Sequence, residues 1–158
     1  MTRAERLAER IEEGARGLEE FARSLTEEQW RSVIPPDGRT AGVIIHHVAS
    51  VYPLEVQVAG QMASGKAVEG VTWAAIAEMN AGHAAENAGV SKTEAIALLR
   101  KNSGEAAEAV RKFTDAELDT AVTVSLNGDA PLTAQFFIED HALRHSWHHR
   151  ARIAAALG

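Results

Sequence analysis

Apolar residues recur at helical spacing along most of the chain. In residues 3–25, Leu7, Ile11 and Leu18 share one face, while Glu and Arg side chains occupy the other. Residues 41–64 form a longer apolar segment that is rich in β-branched side chains, which would also suit a strand. Strands rarely exceed ten residues, so the length of this segment predicts a helix.

Capping patterns and periodicity predict further helices at residues 73–88, 92–113 and 133–157. Short capped turns follow Thr26 and Thr114, and residues 122–129 fit either a loop or a small hairpin before the last helix. There is no βαβ unit and no internal repeat. The sequence therefore predicts an all-α fold, a four-helix bundle with short accessory helices, in a single domain over residues 1–158.

Composition narrows the class of function. The net charge of -6 argues against a nucleic-acid-binding face, which would be basic. The absence of cysteine excludes disulfides, thiolate metal sites and a cysteine nucleophile. No apolar run reaches the ~18 residues of a membrane span, and the charged beginning of the sequence lacks a signal core. We therefore expect a cytoplasmic protein with a small-molecule substrate and no nucleic-acid or membrane partner.

Six of the seven histidines fall into two clusters about a hundred residues apart. With each residue advancing about 100° around a helix, His145 and His149 lie in an otherwise apolar stripe of the last helix. His47 shares its face with Val43 and Val51 in the second long helix. Three inward imidazoles are difficult to satisfy by hydrogen bonds alone. The pattern therefore predicts a divalent-metal site with His47, His145 and His149 as ligands.

Other interpretations remain open at this point. A competing pair with the same spacing, His141 and His145, exists, but His141 lies at the border of the stripe. A bis-histidine haem site is a weaker alternative, and a metal-free bundle with core or surface histidines is a third. His46 and His148 point away from the apolar faces, so these two and His141 are predicted to lie outside the ligand set.

The sequence offers candidates for substrate binding and for orienting the imidazoles, but no spacing pattern selects them. Asn80 and His83 share a face of the helix 73–88 and are candidates for a substrate-binding wall. Arg152, one turn beyond the last ligand, is a candidate for binding an anionic group, although the pattern favours a solvated or salt-bridged arginine. Glu55 and Glu139 lie about 80° from the ligand stripe, which makes them marginal candidates for orienting the imidazoles.

The closing segment HALRHSWHHRARIAAAL resembles the C-terminal helix of the DinB-like superfamily, in which two histidines are separated by three residues. His145 and His149 match that pattern, and the family's common Gly-Gln pair is replaced here by residues 151–152. Residues 40–49 are similar to the start of the family's second helix, which assigns the first ligand to His47. The stretch MNAGHAAENAG also resembles one branch of the superfamily.

This resemblance implies an up-down-down-up four-helix bundle, a three-histidine site for a divalent ion, zinc or nickel, and a homodimer. Characterised relatives include thiol-dependent transferases and isomerases, which implies a low-molecular-weight thiol as a possible co-substrate. We therefore expect a metal-dependent transferase or hydrolase that activates a water or such a thiol. The alternative function is a metal-binding bundle without catalysis.

Overall fold

A computed structural model describes residues 1–158 and is mostly helical. The α-helices are α1 (Arg3–Ser24), α2 (Glu27–Arg31), α3 (Ala41–Ala63), α4 (Trp73–Glu86), α5 (Lys92–Val110), α6 (Asp115–Asp119), α7 (Ala134–Ile138) and α8 (Arg144–Leu157). A π-helical turn, Glu139–Leu143, joins α7 to α8. Two short antiparallel strands, β1 (Ala121–Val124) and β2 (Ala130–Thr133), form a hairpin.

Four long elements form the bundle: α1, α3, α5 and the α7–α8 unit. Helix α1 packs against α5 and α8, and α3 packs against α5 and α7–α8. The consecutive helices α1 and α3 therefore lie mainly across the bundle from each other, as in the up-down-down-up arrangement. The predicted all-α, four-helix-bundle fold is confirmed, and the segment before the last helix is the hairpin rather than a loop.

Side-chain caps define where several helices begin. Thr2, Thr26, Ser91 and Thr114 each accept a hydrogen bond from the third helical residue, whose side chain in turn accepts one from the cap's backbone N–H. This reciprocal arrangement satisfies two backbone donors that a helix start would otherwise leave unpaired. None of the helices combines the length and apolar character needed to span a membrane.

Pro53 lies inside α3, where it cannot donate to the carbonyl of Ala49 four residues earlier. Asn102 of α5 supplies the missing donor, because its Nδ2 donates to the Ala49 oxygen at 2.8 Å. Asn102 is buried, so this bond both satisfies α3 and ties it to α5.

Helix α4 differs from the bundle helices because none of its residues is buried. It ends at Glu86, two residues before the predicted end at residue 88, with Asn87 as its C-cap. The helix lies against α3 and leaves Trp73 and Met79 exposed. Helix α4 is therefore an outer element, placed beside the face of α3 that carries the histidines.

Candidate metal centre

Three imidazoles from two helices meet inside the bundle. His47 lies on α3, and His145 and His149 lie one turn apart on α8. One ligand-capable nitrogen from each ring lies within 4.8 Å of the other two. Zinc–imidazole bonds are about 2.0–2.1 Å long, so two nitrogens on one ion lie at most about 4.2 Å apart, and the three rings would have to draw slightly closer to share one ion. The donor set fits a divalent ion that leaves a coordination position open.

Burial favours the neutral form of two of these imidazoles. His47 is 5% exposed and His149 is 7% exposed. Desolvation, followed by the charge at His145, lowers the pKa of His47 to about 3. The same two causes in the same order lower the pKa of His149 to about 2. A neutral imidazole keeps the lone pair that binds a metal, so these groups are ready to bind an ion near neutral pH.

Glu55 orients the third imidazole. This buried carboxylate lies on α3, two turns after His47, and its Oε1 accepts a hydrogen bond from His145 Nδ1 at 2.9 Å. The bond occupies Nδ1 and leaves Nε2 of His145 as the ligand atom. A carboxylate that fixes the ring in this way is typical of histidine metal sites. The second oxygen of Glu55, Oε2, is buried without a hydrogen-bond partner.

A tight loop before α3 brings an ion pair to the same region. The N–H of Ile34 donates to the Arg39 carbonyl, and Gly38 closes the turn at φ 85°, where a side chain would be strained. Arg39 donates from Nε and Nη2 to the two carboxylate oxygens of Asp37 at 2.6 and 2.8 Å. This pairing lowers the pKa of Asp37. The remaining nitrogen, Arg39 Nη1, is buried without a partner.

A cavity of about 390 Å³ opens onto the three histidines. Helices α3 and α4, the hairpin and α7 supply its apolar wall, which includes Val51, Leu54, Ile76, Leu126 and Phe137. The polar and charged groups in the wall are the three histidines, Asp37, Arg39, Glu55, Asn80, His141 and Arg152. The ligand set therefore lies at the wall of a largely apolar space large enough for a small molecule.

The structure separates the three predicted substrate-binding residues. Asn80 and Arg152 line the cavity. His83 is not part of that wall: its Nε2 lies 2.9 Å from Nδ1 of His46, and the two rings stack with centroids 5.0 Å apart. His83 also meets the ring of His47 edge-on, at 5.6 Å between centroids. Its place is therefore beside the ligand set rather than in the cavity.

His141, in the π-helical turn, and His148, on α8, lie outside the cluster of three. His141 lines the cavity and stacks on Phe137, with 4.1 Å between ring centroids. The ring of His148 lies beside that of His149, with 5.1 Å between the centroids, but His148 does not line the cavity. Of the two pairs with the same spacing, the structure brings His145 with His149, and not His141 with His145, next to His47.

Two features of the site were underestimated or missed in the sequence. Glu55 was marginal by helical phase, yet its side chain is long enough to reach His145. Glu139, at a similar angle, is more exposed and lies near Arg10 instead. The Asp37–Arg39 pair carries no sequence signal, because a short charged loop before a helix cap is common. Only the folded loop shows that it faces the histidines.

Among curated proteins, none matches this chain. Among solved structures, the chain is similar to YfiT from Bacillus subtilis, described as a probable metal-dependent hydrolase with an unusual four-helix bundle topology. The two share 16% identity and a TM-score of 0.75, over 99% of this chain and 87% of YfiT. That likeness establishes the fold. The sequence pattern of the DinB superfamily matches residues 10–153, and this chain therefore belongs to the DinB superfamily.

Proposed function

We propose that this chain is a metal-dependent enzyme in which His47, His145 and His149 hold a divalent ion, zinc or nickel. One observation carries the proposal: three imidazole nitrogens lie within 4.8 Å of one another beside a cavity that can admit a small molecule. A purely structural core would have no need to leave such lone pairs facing a cavity. The description of YfiT as a probable metal-dependent hydrolase is consistent with this proposal.

The ion would act on a small nucleophile. A bound divalent ion lowers the pKa of a water or thiol and supplies a nucleophile near neutral pH. Glu55 keeps the His145 ring oriented, and the apolar part of the wall offers a surface for a hydrocarbon portion of the substrate. Because the chain has no cysteine, any thiol in the reaction must enter from solution as a low-molecular-weight co-substrate.

Metal content is the first test of this proposal. The full chain is purified without chelator, dialysed against zinc or nickel and measured by elemental analysis. We expect about one ion per chain, as three ligands with one open position require. Less than one ion for every several chains, at neutral pH, would contradict the proposal.

The second test separates hydrolysis from thiol transfer. The metal-loaded protein is assayed with nitrophenyl esters, and separately with glutathione, bacillithiol or mycothiol and an electrophile. His149→Ala serves as the matched control, because it removes one ligand. Turnover above that control in the ester assay supports a hydrolase, and turnover only with a thiol supports a transferase. A protein that binds metal and turns over neither substrate class would instead be a non-catalytic metal-binding module.

A further inference from the structure

Arg152 is a cation of the cavity that no carboxylate of the protein neutralises. It lies on α8, is half-buried, and lines the cavity wall. The two carboxylates of the same wall have other partners, since Asp37 pairs with Arg39 and Glu55 bonds His145. Arg152 takes part in no ion pair, so its charge faces the cavity without a counter-ion from the protein.

Arg39 adds a second unfilled donor to the same wall. Two of its nitrogens are committed to Asp37, and the third, Nη1, has no acceptor although it is shielded from water. A buried N–H without a partner costs free energy that an acceptor in the cavity would recover. Guanidinium groups bind carboxylates and phosphates well because their N–H donors are planar and always charged.

The pairing of charges in the wall leaves one arginine available to an anion. Its two arginines and two carboxylates cancel in number, but Asp37 pairs with Arg39 and Glu55 bonds His145, so Arg152 has no carboxylate partner. A divalent ion at the histidines would add further positive charge. The rest of the wall, including Val51, Leu54 and Phe137, is apolar and suits a hydrocarbon body rather than a second polar group.

We infer that the cavity binds small molecules that carry one anionic group on an apolar body, with Arg152 supplying the charge and Arg39 a second donor. This inference rests on the proposed function, because it names the class of substrate for that site. A carboxylate and a phosphate share the chemistry that the two arginines recognise. A carboxylate of medium chain length is the simplest probe.

The test compares octanoate with octanamide, which has the same length and shape but no charge. Binding is measured by calorimetry or chemical-shift perturbation on the full chain after chelator treatment, so that the carboxylate cannot bind a metal directly. We expect octanoate to bind at least about tenfold more tightly, the effect of one charge-assisted hydrogen bond. Equal affinities for the two compounds would overturn the inference.

Three variants assign the preference to particular residues. Arg152→Gln should weaken octanoate binding about tenfold and leave octanamide binding unchanged. Arg150→Gln is the matched control: it removes the same charge from the same helix, but Arg150 lies over Trp147 and outside the cavity. Arg39→Lys keeps a charge for Asp37 but removes the spare N–H, and should weaken octanoate binding severalfold. An Arg152→Gln protein that binds octanoate as tightly as the Arg150→Gln protein would refute the assignment.

Metal content measured on the same preparations separates this inference from the proposed function. One ion per chain with no preference for octanoate overturns the anion site and leaves the metal-dependent enzyme standing. A clear octanoate preference in a protein that cannot be loaded with metal supports the anion site and contradicts the enzyme proposal.

Discussion

The interior of the bundle differs between its two sides. On the side where α1 packs against α5, buried positions are filled by aliphatic side chains such as Leu7, Ile11, Leu18, Leu99 and Val110, none more than 3% exposed. These residues have no side-chain polar atom to satisfy. Their contribution is the removal of apolar surface from water, about 25 cal/mol per Å².

On the side where α3 faces α8, the interior is polar and incompletely paired. His47, His149 and Glu55 are buried there, and Arg39 borders the same cavity. Glu55 Oε2 and Arg39 Nη1 have no partners. A buried polar group without a partner reduces the free energy of unfolding, and a ligand that supplies the partner restores it. The comparison indicates that one side stabilises the fold and the other keeps binding capacity open.

The largest expected effect is a loss of metal affinity from a substitution on the binding side, with the apolar side unchanged. His149→Ala should lower metal affinity by at least about hundredfold, because it removes one of three ligands. His148→Ala changes the adjacent residue of the same helix, lies outside the cluster, and should leave the affinity nearly unchanged. Both are measured by metal titration against a competing chelator. If His148→Ala loses the metal and His149→Ala keeps it, the assignment of the ligands is wrong.

The next largest effect is a loss of folding stability from a substitution on the apolar side, with the metal ligands unchanged. Leu18 is fully buried, and Leu18→Ala removes its packing and leaves a cavity, which should lower the free energy of unfolding by about 3 kcal/mol. The loss is measured by denaturant unfolding of the metal-free protein. At a temperature where the variant is folded, its metal affinity should match that of the unchanged protein. A large loss of affinity would show that the two sides are not separate.

The apolar side was the part that sequence could predict. The spacing of Leu7, Ile11 and Leu18 defines a helix face from local information, and the capping patterns give the helix starts. The grouping of His145 with His149 also follows from spacing within one helix. Their approach to His47 is different, because it depends on how two helices distant in sequence pack.

The remaining features of the site depend on geometry that periodicity does not contain. Glu55 reaches His145 because a long side chain spans the angle between their helix faces. The π-helical turn, Glu139–Leu143, inserts an extra residue into a turn, so the α-helical phase does not continue through it to His141. The sequence of α4 predicts a helix as the other segments do, but it does not show that none of its residues is buried.

A smaller change sharpens the comparison within the binding side. Glu55→Gln keeps the shape and one acceptor oxygen but removes the charge that orients His145, and should lower metal affinity about tenfold. Glu139→Gln is the control, since Glu139 is more exposed and does not contact the three histidines. Metal titration of the two proteins gives the difference. Equal affinities would mean that the Glu55 contact does not support the ligand set.

The smallest expected effect concerns the stability of the metal-free protein as pH changes. His149 has a folded-state pKa lowered by burial to about 2, against a usual value of 6.5. Below 6.5 the unfolded chain therefore takes up a proton that the folded chain does not, so the folded state loses stability as pH falls. The loss approaches roughly 1.4 kcal/mol per pH unit for each such histidine once the pH is well below 6.5.

His149→Leu removes one of these groups and should therefore flatten the pH dependence. Between pH 6.5 and about 5.5, chelator-treated protein should lose roughly 1 kcal/mol more stability than the variant. Acidic groups with lowered pKa values, such as Glu19 and Asp37, titrate below this window and affect both proteins alike. Denaturant unfolding at the two pH values measures the difference. Parallel losses would show that His149 is not held neutral by burial, and the contrast between the two sides of the interior would then not extend to charge.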